Sequence, residues 1–216
     1  MPKELRLVLF GPPGAGKGTQ AQLLRDRLNV THISSGDLFR HHLVKGTPVG
    51  LRAKKYMNSG ELVPDEVTIE IMLERILAIP GDEGFILDGF PRNPIQATEL
   101  EKKLIVESRD LDKVVHIEVS ESELLRRLGG RFVCRICQTP HFKGEGEEGK
   151  VCEQCQGELY QRDDDAAAAV QKRIAVYKSE TTPVLGFYRQ RGLVVDISGD
   201  NTVDEVNKQV ISALDS

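Results

Sequence analysis

Five of the six positions from Leu5 to Phe10 are apolar, and the run stops at Gly11-Pro12-Pro13. A short continuous apolar stretch bounded by glycine and proline reads as a strand buried on both faces. From Lys17 to about Leu28 the spacing changes, and Ala21, Leu23, Leu24 and Leu28 line one face of a helix. The chain therefore passes from strand to helix directly through a glycine-rich segment. Short helices are predicted over 37–45 and 49–58, and a longer one from Pro64-Asp65 through Ile69, Met72, Leu73 and Ile76 to about Ile79. Phe85–Leu87 reads as a second strand, about Asn93 to Glu107 as a helix, Val114–Val119 as a third strand and 121–128 as a helix. A Gly- and Cys-rich stretch, 129–160, breaks this rhythm. A long helix near 164–190, a strand at Leu193–Ile197 and a terminal helix from about Val203 restore it. Pattern alone thus places four strands. Their alternation with helices predicts an α/β fold, a parallel sheet covered on both faces and joined by right-handed crossovers.

Composition narrows the function. At 216 residues the chain can build one substantial core with small appendages. The net charge of −4 gives no overall positive field for nucleic acid or anionic lipid. No run approaches the eighteen or so apolar residues that cross a bilayer. The N-terminal segment lacks the long apolar stretch of a secretion signal, so a cytoplasmic location is the expectation.

Gly11-Pro-Pro-Gly-Ala-Gly-Lys-Gly-Thr19 matches G-x-x-x-x-G-K between a strand and a helix. Glycines there bring several backbone N–H groups to face phosphate oxygens, the helix adds its positive end, and Lys17 adds a full charge. The hydroxyl that follows lysine in the general ATPase and GTPase template is absent: Gly18 stands there, and Thr19 follows.

All four cysteines fall in two pairs, Cys134-x-x-Cys137 and Cys152-x-x-Cys155, fourteen residues apart. That spacing is close to a zinc ribbon, and four thiolates complete a closed tetrahedral structural site.

The segment Gly11 to Gln20 resembles the phosphate loop of the adenylate kinase family without a mismatch. So do Ser35-Gly-Asp-Leu-Phe-Arg40, Gly84-Phe-Ile-Leu-Asp-Gly-Phe-Pro-Arg92 with Gln96, Arg127-Leu-Gly-Gly-Arg131, and Gln161-Arg162-x-Asp164-Asp165 with Arg173. The resemblance implies a P-loop, doubly wound parallel sheet of five strands, and Mg-dependent, reversible transfer between ATP and AMP to give two ADP. It divides the chain into a core of 1–33, 64–128 and 164–216, an AMP-binding subdomain at 34–63 and a zinc-knuckle lid at 129–163.

By matched position, catalysis falls to Lys17, Asp88, Arg92, Arg127, Arg162 and Arg173. Asp88 would orient magnesium, with help from Asp37. ATP contacts would come from Gly14, Ala15, Gly16, Lys17, Gly18, Thr19, Arg127, Arg131, Pro140, His141 and Asn201. AMP contacts would come from Ser35, Arg40, Glu61, Leu62, Val63, Gly89, Phe90, Pro91, Arg92, Gln96, Arg162 and Arg173. Cys134, Cys137, Cys152 and Cys155 would hold a structural zinc. Arginine forks suit this chemistry, because the attacking AMP oxygen is already anionic and what remains is to align two polyanions and neutralise moving charge. Pro140-His141 stand where the family often carries an aromatic facing the base of ATP, and Ala166–Ala169 replaces a stretch that is usually acidic and polar.

The resemblance also implies a monomer, with small-molecule nucleotides as partners and neither nucleic acid nor membrane. Residues 34–63 and 129–163 are expected to close over the substrates and exclude water. Three other readings remain open at this point: a kinase of the same fold for UMP, CMP or GMP or with GTP as donor, a zinc-ribbon nucleic-acid module, and a P-loop ATPase switch. The acidic balance opposes the second, and Gly18 opposes the third.

Overall fold

A computed structural model describes residues 4–137, 139–142 and 151–215. In chain order the elements are β1 Arg6–Phe10, α1 Lys17–Leu28, β2 Thr31–Ser34, α2 Ser35–Val44, α3 Pro48–Ser59, α4 Asp65–Leu77, β3 Phe85–Asp88 and α5 Pro94–Val106. There follow β4 Lys113–Glu118, α6 Glu121–Gly129, β5 Arg131–Cys134, β6 Pro140–Phe142, β7 Leu159–Tyr160, α7 Ala167–Val176, α8 Thr182–Arg189, β8 Val194–Ser198 and α9 Val203–Leu214. Five strands form one parallel sheet in the order β2-β3-β1-β4-β8, and β6-β5-β7 form a separate antiparallel sheet.

Strand alternation divides the core into two layers. Val8, Phe10, Phe85, Leu87 and Val114 pack with Met72, Leu100 and Tyr188 on one face, under α4, α5 and α8. Leu7, Leu9, Ile86, Val115 and Ile117 pack with Leu24, Leu128 and Val210 on the other, under α1, α6 and α9. This explains why the strands read as unbroken apolar runs: both faces are covered.

The strand that pattern misses is β2. Thr31-His-Ile-Ser34 lies at the sheet edge with only Ile33 fully buried, so it carries no apolar run. The long helix expected near 164–190 is in fact three pieces. A 3₁₀ turn at Asp163–Asp165 precedes α7, and a π-helical segment at Tyr177–Thr181 separates α7 from α8. Pro183 lies in the first turn of α8, where its missing N–H costs no internal bond. The Cys-rich stretch, to which pattern assigns no strand, contributes β5, β6 and β7. Among the described residues no helix is long and apolar enough to cross a membrane.

Candidate active site

β1 is flanked by β3 on one side and β4 on the other, so the connections divide at its carboxyl end, where an open α/β sheet leaves a crevice. The glycine-rich segment crosses this point. Gly11 has φ 150°, and a Cβ there would stand 2.6 Å from the Ile117 carbonyl oxygen. Gly16, which precedes α1, has φ 90°. A side chain is excluded by contact at the first position and disfavoured by the left-handed backbone at the second. The described residues place no side-chain cap and no acid in the first turn of α1. Its unpaired amides and positive dipole end therefore meet the crevice without an internal anion.

Lys17 donates from Nζ to the carbonyl oxygens of Gly11 and Pro12, 2.8 Å each. Burial lowers its pKa to about 8, with Asp88 opposing and Arg92, Arg173 and Arg131 adding to the fall. Asp88 ends β3, in register with Leu9 and Ser34. Burial works against its charge. The His32 ring, with Nε2 3.7 Å from Oδ2, and the charges of Lys17 and Arg92 outweigh that and hold the carboxyl below its usual range. A Cβ on Gly18 would lie 3.5 Å from the same Oδ2, so a longer side chain after Lys17 would cover the carboxylate.

Arg92 donates from Nε to the Gly89 carbonyl at 2.7 Å, and its NH2 stands 3.4 Å from Ser35 Oγ. Burial, then the charge of Arg173, lowers its pKa to about 10. Arg162 is likewise lowered to about 10 by burial and then by Arg40 and Arg131. Burial lowers Arg173 too, with Arg131 repelling it and Asp164 partly compensating. Arg131 clasps the buried carboxylate of Asp165, which also accepts from Arg173 NH1 at 3.0 Å. Arg127 is held by Glu123 at 2.7 Å and the Gly199 carbonyl at 2.8 Å, and Arg40 pairs with Asp37. One cavity is lined by seven cationic side chains, Lys17 and Arg40, 92, 127, 131, 162 and 173, against four carboxylates, Asp37, Glu61, Asp88 and Asp164. The cations repel one another across it, which is the electrostatics of a polyanion site.

Gly14, Gly16, Gly18, Thr19, Ser35, Glu61, Leu62, Val63, Gly89, Pro91, Gln96 and Pro140 line the same cavity. Four of the residues predicted to contact nucleotide do not. Ala15 and Phe90 are buried in the core, and Asn201 is exposed, its side-chain amide near the Ser198 carbonyl. His141 alternates with Pro140 and Phe142 along β6, and it is those two that line the cavity. Gln96 is already engaged: its Oε1 accepts from the Arg92 N–H and its Nε2 donates to Asp65, both at 2.8 Å. One amide proton and one lone pair stay free for a base edge.

Phe142, His32 and Tyr177 also line the cavity and were not anticipated from sequence. For Phe142 the signal existed: it lies two residues past Pro140 on a strand, hence on the same face.

The four cysteine sulfurs lie within 4.8 Å of one another, with Cys134–Cys155 at 3.4 Å and Cys137–Cys152 at 3.5 Å. A tetrahedral zinc with Zn–S of about 2.3 Å needs sulfurs roughly 3.8 Å apart, so the donor set fits that ion. Backbone bonds from Cys134 N to Thr139 O and from Cys152 N to Gly157 O shape the two knuckles.

The family model described as adenylate kinase matches residues 9–193. The chain is 46% identical to an adenylate kinase of Alkaliphilus oremlandii over 98% of its length and 99% of that protein. It is 47% identical to one of Methanocella arvoryzae over 97% and 98%, and 47% identical to one of Streptomyces coelicolor over the same shares.

Proposed function

Because the chain belongs to the adenylate kinase family, we propose that its arginine-lined crevice carries out reversible phosphoryl transfer, ATP + AMP to two ADP, with the residues in the following roles. The observation that carries the assignment is the convergence of Lys17, Arg92, Arg162 and Arg173 beside Asp88 at the carboxyl end of β1. An AMP phosphate oxygen is anionic as it stands, so no general base is called for. What the chain supplies is alignment of two anions and positive charge that follows the moving phosphoryl group.

The glycine loop and Lys17 hold the ATP phosphates, with Arg127 and Arg131 on the lid side. Arg40 and Arg92 hold the AMP phosphate, and Arg162 and Arg173 stand between them. Gln96, Ser35 and the backbone of 61–63 shape the AMP base pocket, and Pro140 and Phe142 the ATP base pocket. Asp88, kept ionised and reachable past Gly18, would hold magnesium through its waters. When bound, that ion neutralises charge on the β and γ oxygens.

Residues 34–63 would serve as the AMP-binding subdomain and 129–163, of which 138 and 143–150 lie outside the described residues, as the lid, both closing on the core of 1–33, 64–128 and 164–216 to keep water from the phosphoryl group. Cys134, Cys137, Cys152 and Cys155 would hold a structural zinc that stiffens a lid too thin for its own core. The family resemblance makes the protein a monomer in this reading, and cysteines clustered for a metal rather than a disulfide framework fit a reducing compartment such as the cytoplasm.

A coupled assay of ADP formed from ATP and AMP, with UMP, CMP and GMP as alternative acceptors and GTP as alternative donor, tests this reading. AMP and ATP should give the highest kcat/KM. Preference for another pair would overturn the base assignment, and ATP hydrolysis without an acceptor would overturn the transfer.

A further inference from the structure

His116 lies on β4, 7% exposed, opposite Asp196 of β8. Its Nδ1 is 2.8 Å from Asp196 Oδ1 and 3.5 Å from Glu118 Oε1, and its Nε2 is 3.3 Å from the Tyr177 hydroxyl. Arg189 donates to both oxygens of Asp196, at 2.9 and 2.7 Å. Phe10, the last residue before the glycine loop, packs on both rings, with centroids 6.3 Å from His116 and 6.2 Å from Tyr177.

His116, Glu118 and Asp196 bring three metal-ligating atoms within 4.8 Å, but the arrangement is not that of a cation site. The Arg189 guanidinium already occupies both oxygens of Asp196, and Nδ1, faced by two carboxylates, carries a proton rather than a free lone pair. What is built is a directional hydrogen-bonded chain from α8 through both strands to Tyr177. The phenol, pushed up by burial and then by Glu118, keeps its hydrogen. It can donate to a neutral ring or accept from a charged one, so the chain survives either protonation state of His116.

Tyr177 opens the π-helical segment that interrupts the helical path, and Arg173 lies four residues before it, one turn back on the same face. A π-helical segment is a place where helix direction is loosely set by its own bonds. We infer that Arg189, Asp196, His116 and Tyr177 form a positioning chain that fixes the end of α7 against the sheet and so holds Arg173 at the phosphate-binding crevice. The inference rests on the placement of Arg173 in that crevice. Tyr177 itself lines the crevice, whereas Arg189, Asp196 and His116 act from outside it, so the His116 variants separate positioning from direct contact.

The two amide replacements of histidine separate this role from bulk stability. In His116→Asn the amide stands where Nδ1 was, keeping Asp196 and losing Tyr177. In His116→Gln it reaches where Nε2 was, keeping Tyr177 and losing Asp196. Single-turnover phosphoryl transfer, KM for both nucleotides and melting temperature are measured for both variants, Tyr177→Phe and Arg173→Ala. Tyr177→Phe and His116→Asn should slow transfer by roughly ten-fold or more while KM stays within about two-fold, because a small displacement of an oriented group acts on the chemical step. His116→Gln, which cuts the chain one link further from α7 and keeps Tyr177, should slow transfer less than His116→Asn even where it melts as low. Transfer that falls in step with melting in both His116 variants, or an unaffected Tyr177→Phe, overturns the chain. If Arg173→Ala slows transfer and Tyr177→Phe does not, the chain alone is rejected. If Arg173→Ala is itself without effect, the placement of Arg173 in the crevice is rejected instead.

Discussion

Each end of the parallel sheet buries arginine, and the two ends do so in opposite ways. At the amino end, Arg109 is 4% exposed and donates to the carbonyl oxygens of Ile76, Ile79, Pro80 and Glu83, with its guanidinium 5.4 Å from the centre of the Phe85 ring. Both terminal nitrogens of its fork are spent on backbone, and only its Nε has no hydrogen-bond partner among the described residues. At the carboxyl end, Arg92 is lowered by burial and then by Arg173 and Arg40, Arg162 by burial and then by Arg40 and Arg131, and Arg173 by burial and by Arg131, all lining one cavity. A buried cation with its terminal donors satisfied by carbonyls belongs to the architecture. A group of them converging on one cavity, each facing like charge across it, is arranged for an anion. The same residue type is thus glue at one end and receptor at the other.

The sharpest way to break this contrast is to remove one cation from each end. Lys17→Met should lower turnover by about 10³-fold or more, in the range that phosphate-stabilising cations contribute. Its melting temperature should change little, because relief of burial and of repulsion by three arginines offsets the loss of Asp88 pairing and of two carbonyl bonds. Arg109→Met should do the reverse, costing on the order of 3 kcal/mol as four carbonyls lose a charged donor, with kcat of the folded enzyme unchanged. Steady-state assays with denaturant melts on both variants decide it. A Lys17→Met protein that unfolds easily, or an Arg109→Met protein with slow turnover, would erase the distinction.

If the four clustered cysteines hold the proposed zinc, the contrast extends to a third case, charge held for structure alone. Chelation of bound metal should lower the melting temperature by several degrees, on the scale of about 2–4 °C per kcal/mol for a chain of this size. Single-turnover transfer by the remaining folded protein should change far less than in Lys17→Met. Differential scanning calorimetry before and after verified metal loss provides the check, and an unmoved transition counts against a structural ion.

A third effect follows from pH. Lys17 releases its proton at about 8 in the folded chain against an ordinary 10.5. Between those values the unfolded chain holds a proton that the folded chain has lost, so this group adds stability as pH rises through the window, and its penalty is complete below it. Activity moves the other way, since the neutral amine no longer neutralises phosphate. kcat/KM should therefore fall above about pH 8, and Lys17→Arg should lack that limb. Rates and melts taken across the same pH series test both signs.

Much of this was legible in the residues. Leu7 to Phe10, Phe85 to Leu87 and Val114 to Ile117 announce buried strands because both faces are apolar, and the glycine loop announces its junction because only glycine tolerates the backbone there. β2 was hidden because an edge strand of Thr-His-Ile-Ser needs only one buried residue. The break at Tyr177–Thr181 was hidden because a π-helical segment keeps helical spacing in the residues around it. The chain through His116 could not be read at all: Asp196 and Tyr177 are 80 and 61 residues away, the first brought in by strand register and the second by the π-helical segment that meets the sheet there.

The smallest expected effect tests which base the lid meets. Phe142 is 58% exposed and contributes to the cavity beside Pro140, so its ring adds little to the core and can add a face to a nucleotide base. An aromatic contact of this kind contributes about 0.5–1.5 kcal/mol beyond area, which converts to roughly two- to twelve-fold in binding. Phe142→Leu, which keeps most of the apolar surface, should raise KM for ATP by that factor and leave KM for AMP and the melting temperature where they were. Should KM for AMP rise instead, the lid strand reads the acceptor. The cationic end of the sheet would then be approached from the opposite direction to the one that the placement of Arg127 and Arg131 supports.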